Sequence, residues 1–135
     1  MKPRVLFVDD DPYILRSLSR IFRDEAESWE LTFARGGNVA NALLEQFQFD
    51  LVVSDLDMPG IDGITLLNSV KAASPDTVRV LLTGSDVDPA SVDVDMILDK
   101  PFDQRMLHEC IRAIVEPAGS APAREGSVEL ARHRN

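Results

Sequence analysis

The chain has 135 residues, 44% of them apolar and 27% charged, with a formal net charge of −9, which suits one globular domain and leaves no room for a separate output domain. This balance argues against intrinsic disorder overall and against nucleic-acid binding, which needs clustered Lys and Arg to neutralise phosphates. No apolar run approaches a membrane span and Met1-Lys2-Pro3-Arg4 does not open a signal peptide, so no membrane partner and a cytoplasmic location are expected.

The first apolar run, Arg4-Val5-Leu6-Phe7-Val8, is closed by Asp9 and Asp10. Little alternation within it predicts a strand buried on both faces, as in a parallel sheet covered by helices. Asp11-Pro12 then reads as an N-cap and first helical residue, followed by Ile14, Leu15, Leu18, Ile21 and Phe22 at helical spacing. Trp29, Leu31 and Phe33 alternate with polar residues and predict a half-buried edge strand. Gly36-Gly37 breaks the chain, and Val39, Leu43, Leu44 and Phe47 form a second helical stripe with Asn38 as its expected cap. A second buried run, Phe49 to Ser54, is closed by Asp55 and Asp57. After a loop carrying Pro59, Gly60 and Gly63, the residues Ile64, Leu67 and Val70 predict a third helix that stops before Pro75.

Val78 to Leu82 is a fourth expected strand and Met96 to Leu98 a short fifth, ended by Asp99-Lys100-Pro101. The crossover between them, residues 84–95, has almost no helical stripe; Asp88 before Pro89 can start one turn and little more. Met106, Leu107, Cys110, Ile111, Ile114 and Val115 predict a last amphipathic helix. Cys110 lies on its apolar stripe and reads as a core thiol; as the single cysteine it permits no internal disulfide. Residues 117–135 change to Ala, Gly, Ser, Pro and charge, the composition of a flexible tail, and residues 116–135 carry Glu116, Glu125 and Glu129 against Arg124, Arg132 and Arg134, so the acidic surplus lies upstream of them. Alternating strands and helices in this order predict an α/β, flavodoxin-like doubly wound sheet of five parallel strands ordered 2-1-3-4-5, with helices on both faces and the fourth helix short or missing.

In such a sheet ligands bind outside the carboxyl ends of the strands, where strand order reverses. Asp9, Asp10, Asp55 and Asp57 all fall at those ends, and clustered carboxylates resist joint ionisation unless a cation joins them; hard oxygen ligands suit Mg²⁺. Thr83 and Lys100 end the fourth and fifth strands at the same edge. A carboxylate beside a bound cation, with a hydroxyl and an ammonium nearby, has the parts needed to receive a phosphoryl group: Asp55 as nucleophile, Lys100 and the metal neutralising oxygens, Thr83 giving a hydrogen bond.

Val8-Asp9-Asp10-Asp11-Pro12, Ser54-Asp55-Leu56-Asp57-Met58-Pro59-Gly60-Ile61-Asp62-Gly63, Leu82-Thr83-Gly84 and Asp99-Lys100-Pro101-Phe102 together resemble the receiver domain of two-component response regulators, over residues 4 to 116. The resemblance implies that Asp55 is the phosphoacceptor, that Asp9 and Asp10 hold Mg²⁺ with the backbone carbonyl of Asp57 as a further ligand, that Thr83 is the switch hydroxyl, and that Lys100 precedes a cis proline peptide. It implies a histidine kinase or histidine phosphotransfer protein as phosphodonor and an output protein as partner, with no separate substrate to turn over. It also implies that side chains such as Asp57 and Ser85 set the lifetime of the phosphoaspartate.

Two departures stand out. The 84–95 crossover is shorter than the family's usual helix-bearing segment, and Ile97 replaces the Tyr or Phe expected three residues before Lys100. The usual dimer through the face of the fourth helix, fifth strand and last helix is therefore expected to be weakened or replaced. A phosphorylation-dependent dimer abolished by a charge placed on the last helix would overturn that expectation. Asp55-Leu56-Asp57 after a strand also resembles the nucleophile motif of haloacid-dehalogenase-type Mg²⁺ phosphatases, but that family has its further acid pair late in the chain, whereas Asp9 and Asp10 come first. A phosphorylation-independent scaffold is the remaining alternative, disfavoured because Asp9, Asp10, Asp55, Thr83 and Lys100 are all present.

Overall fold

A computed structural model describes residues 2–116; the expected tail at 117–135 lies outside the described residues. The apolar runs become five parallel strands, β1 (Arg4–Asp9), β2 (Glu30–Arg35), β3 (Leu51–Asp55), β4 (Val78–Thr83) and β5 (Met96–Asp99), in the order β2-β1-β3-β4-β5. Four helices connect or follow them: α1 (Pro12–Ile21), α2 (Gly37–Gln46), α3 (Gly63–Ala73) and α4 (Gln104–Val115). Strand order reverses at β1, which places its carboxyl end beside that of β3 and makes the crevice between them the point to which ligands are drawn.

The period of the strands divides the core into two layers. Val5, Phe7, Leu51, Val53, Val80, Leu82, Met96 and Leu98 face α1 and α4, meeting Leu18, Phe22, Leu107 and Ile111. Their neighbours Leu6, Val8, Val52, Leu81 and Ile97 face α2 and α3, meeting Ala40, Leu66, Leu67 and Val70. Each such fully buried side chain contributes about 1.5–3 kcal/mol relative to exposure, so both sheet faces hold the strand ends in register.

Local signals explain most boundaries. The Asp11 carboxylate caps α1 by accepting the Tyr13 N–H at 2.9 Å. Asp62 does the same for α3 from Thr65, at 2.8 Å, and Asp103 for α4 from Arg105 and Met106. The expected cap Asn38 is a correction: the N-cap lies two residues earlier, at Gly36, with φ 95° and no side-chain cap bond. Gly37 is required there because a Cβ would lie 2.8 Å from the Ile61 side chain. Trp29, expected to open β2, lies just before it; it is fully buried, and its indole N–H donates to the Glu116 carboxylate at 2.6 Å. Strand β3 begins at Leu51, two residues after Phe49, while β4 and β5 each extend one residue further, to Thr83 and Asp99. Cys110 packs half-buried against the α1/α4 layer. The crossover from β4 to β5 contains a single 3₁₀ turn, Pro89–Ser91, capped by Asp88 through the Ala90 N–H at 3.0 Å.

Candidate functional site

The carboxyl ends of β1, β3, β4 and β5 bring Asp9, Asp55, Thr83 and Lys100 together. Asp9, Asp55 and Thr83 are all buried, at 1%, 5% and 1% exposure, which for two carboxylates requires compensation. The Lys100 ammonium supplies it, standing 2.9 Å from Asp55 Oδ1 and 3.2 Å from Asp9 Oδ2. The other Asp9 oxygen accepts the Asp11 N–H at 2.9 Å. Asp10 is half-buried and completes a triad in which Asp9, Asp10 and Asp55 each present an oxygen within 4.8 Å of the others.

One ammonium does not fully offset this crowding. Burial pushes the Asp9 carboxyl above its ordinary value, and the charge of Asp55 adds to the rise, against the opposing pull of the Asp11 N–H and Lys100. Burial alone would lower the Lys100 ammonium, but its hydrogen bond to Asp55 and the charges of Asp9 and Asp55 outweigh that and raise it. The pocket is therefore short of positive charge, and three converging carboxylates are the donor set of a hard divalent cation.

Backbone ties fix the geometry. Lys100 N–H donates to Thr83 O at 2.8 Å, and Leu56 N–H donates to Leu82 O at 2.9 Å, locking the ends of β5 and β3 onto β4. The Lys100–Pro101 peptide is cis, as expected. Ser54, a polar residue inside a buried strand, donates its hydroxyl to Asp55 O at 2.9 Å.

Residues 5–112 match the family described as the response regulator receiver domain. The chain belongs to that family. Among curated relatives, this receiver domain is 32% identical over 124 residues to the transcriptional regulatory protein GlrR of Escherichia coli K12, covering 88% of this chain and 27% of that protein. It is 33% identical to the transcriptional regulatory protein PrrA of Mycobacterium tuberculosis, covering 87% and 52%. The receiver domain thus spans well under two thirds of these relatives. Among solved structures, the signal receiver domain of an HD domain-containing protein from Pseudomonas fluorescens Pf-5 superposes with a TM-score of 0.77 at 32% identity, over 87% of this chain and 97% of that one. The response regulator TrrA of Thermotoga maritima, solved in complex with Mg(2+)-BeF, gives 0.73 at 30% identity, over 84% and 99%.

Against that family frame, two positions behave differently from the simple expectation. Thr83 reaches the site but its hydroxyl is engaged with Ser85, accepting the Ser85 N–H at 2.9 Å. Asp57 is exposed on the loop after β3, and its side chain meets the Ser85 hydroxyl at 3.4 Å, joining the two residues expected to govern phosphoaspartate lifetime. Two residues given no role at the site from the sequence also lie beside it. Arg35, at the end of β2, donates from Nε to Asp10 O at 3.3 Å and steadies the loop that carries the acid pair.

Gly63 is the second. A Cβ there would stand 2.1 Å from Asp55 O and 2.9 Å from Leu56 Cα, so the first turn of α3 lies directly against the backbone of the phosphoacceptor candidate. Gly63→Ala is expected to cost about 2–3 kcal/mol of stability, as overpacking does, and to shift Asp55. Urea unfolding measures the first effect; an unchanged midpoint would mean that the helix moves aside freely.

Proposed function

We propose that this receiver domain accepts a phosphoryl group on Asp55 from the phosphohistidine of a histidine kinase or histidine phosphotransfer protein, and relays the change by binding an output protein in the cytoplasm. It acts on no separate substrate. The observation that carries this reading is the bridge from Lys100 to both Asp55 and Asp9, with Asp10 close enough to complete a three-carboxylate donor set.

In the transfer, a carboxylate oxygen of Asp55 bonds to phosphorus as the donor's phosphorus–nitrogen bond breaks. Lys100 is close enough to Asp55 to offset charge on the incoming oxygens, and Thr83 lies at the pocket edge with a hydroxyl that can leave Ser85 for the phosphoryl group. Asp9, Asp10 and the Asp57 carbonyl would hold Mg²⁺ together with Asp55. When bound, Mg²⁺ supplies the positive charge that the carboxylates lack and neutralises the phosphoryl oxygens. That fit rests on the oxygen triad and on the raised Asp9 carboxyl, and is supported by TrrA having been solved with Mg(2+)-BeF.

A cleft of about 420 Å³ beside Lys100, lined by Ile14, Ser17, Pro101, Phe102 and Gln104, offers a partner protein an apolar footing next to the pocket. Incubation with Mg²⁺ and a small phosphodonor is expected to add one phosphoryl group, read by intact mass, and chelation of the metal to suppress it. A native chain that stays unmodified in Mg²⁺ would instead support a phosphorylation-independent scaffold.

A further inference from the structure

Among the described residues, the strands bury two polar side chains besides Asp9, Asp55 and Thr83: Arg79 in β4 and Ser54 in β3. Arg79 bonds through its guanidinium to the carbonyls of Leu67 and Asp93, near the amino end of β4 and away from the pocket. Ser54 stands next to the phosphoacceptor. It is 0% exposed and pairs with Val8 of β1 and Leu81 of β4, both in the apolar layer that faces α2 and α3. An alanine would fill that place with no hydroxyl to desolvate, and burying an unbonded hydroxyl costs about 1–3 kcal/mol. The Ser54 hydroxyl is satisfied by donating to the Asp55 carbonyl at 2.9 Å.

That carbonyl is held from more than one side. A Cβ on Gly63 would stand 2.1 Å from the same oxygen, so the first turn of α3 closes over it. The N–H of the same peptide, on Leu56, donates to Leu82 O at 2.9 Å, and the Leu56 carbonyl accepts the Gly63 N–H at 2.9 Å. Both polar atoms of the Asp55–Leu56 peptide are thereby engaged, the oxygen by Ser54 and the nitrogen by β4. Backbone torsions limit the rotamers open to a side chain. This peptide therefore governs where the Asp55 carboxylate points and how the chain runs on to Asp57.

We propose that Ser54 is a positioning residue for phosphoryl transfer. Its hydroxyl holds the Asp55–Leu56 peptide against the start of α3, and so keeps the Asp55 carboxylate at its 2.9 Å contact with Lys100 and aims the following backbone at the metal through the Asp57 carbonyl. Ser54 itself points into the apolar layer and touches neither the phosphoryl group nor the cation. The proposal rests on the phosphoacceptor reading above.

Phosphoryl uptake from phosphoramidate at saturating Mg²⁺, followed by intact mass on the full chain, tests this. Ser54→Ala is expected to lower the maximal rate by about tenfold, because small misplacements of a reacting group are costly. The half-saturating phosphoramidate concentration is expected to stay unchanged, since Ser54 meets no donor. Ser54→Thr keeps the hydroxyl and is expected to return to within about threefold of native, whereas Ser54→Cys, close in size but a weak donor, is expected to be as slow as the alanine variant. If urea unfolding shows that the added methyl of threonine disrupts the domain, the cysteine variant decides. A native maximal rate in Ser54→Ala or Ser54→Cys, or a change confined to half-saturation, overturns the positioning role alone. No adduct on the native chain, or an equal adduct on Asp55→Asn, overturns the phosphoacceptor reading and the role of Ser54 with it.

Discussion

Asp55→Asn takes up no phosphoryl group from a small phosphodonor in Mg²⁺, under conditions that load the native chain with one. The substitution keeps the size of a buried side chain and replaces a nucleophilic carboxylate with an amide of negligible nucleophilicity at oxygen. It also removes one of the two carboxylates bound to Lys100, leaving the 3.2 Å contact to Asp9. The fold is expected to survive, because the adjoining backbone bonds from Ser54 and Leu56 do not involve the side chain. Yield is expected to fall below about a thousandth of native, the loss typical of removing a covalent nucleophile. Intact mass decides it, and an equal adduct on the variant would place the acceptor elsewhere, with exposed Asp57 the first residue to examine.

The pocket was legible because its members obey strand physics. A buried parallel strand rarely carries a carboxylate along its length, so a carboxylate at the end of an apolar run marks where the backbone leaves the core. Asp9 and Asp55 do this on neighbouring strands, and Thr83 and Lys100 follow in the same layer. Gly63 was not legible in this way. In the sequence it is a loop breaker; its role appears only when α3 is laid against the Asp55 carbonyl. Arg79 is a similar case. A single cation in a strand pattern reads as an edge or solvent-facing position, and its acceptors at 67 and 93 lie outside any local window.

The strand order and the two helical layers followed from alternation and right-handed crossovers, and the weak crossover after β4 was visible as a missing stripe. Boundaries were less secure where local chemistry has two solutions. Asn38 is a good cap residue, but Gly36 can take a positive φ and Gly37 can approach Ile61, and tertiary contact decided between them. Trp29 fits an alternating edge strand, yet a buried indole must satisfy its N–H, and Glu116 at the end of α4 draws it out of β2.

Asp9→Asn is expected to raise the thermal midpoint of the metal-free domain at pH 7 while removing most of the stabilisation that Mg²⁺ gives the native chain. Asp9 is buried beside Asp55, and its carboxyl is raised above the ordinary 3.8 chiefly by that burial. The folded state therefore holds the proton more tightly than the unfolded chain does. As pH rises from the ordinary value through the raised one, the folded form binds more protons than the unfolded form and stability falls; above that window the penalty is constant. An amide carries no such penalty, so the thermal midpoint is expected to rise at neutral pH. Below the ordinary Asp value the native carboxyl is protonated in both states, and the advantage of the variant should vanish. Lys100 does not blur this window: its pKa is raised above 10.5, so its contribution is complete below that value and is lost only as pH rises through the raised one. Phosphoryl uptake by the variant should slow by about a hundredfold or more if Asp9 is the metal ligand proposed above. Thermal melts across pH with and without Mg²⁺ read the stability terms, and a variant less stable than native at pH 7 without metal would show that the Lys100 bridge outweighs the crowding of Asp9 and Asp55.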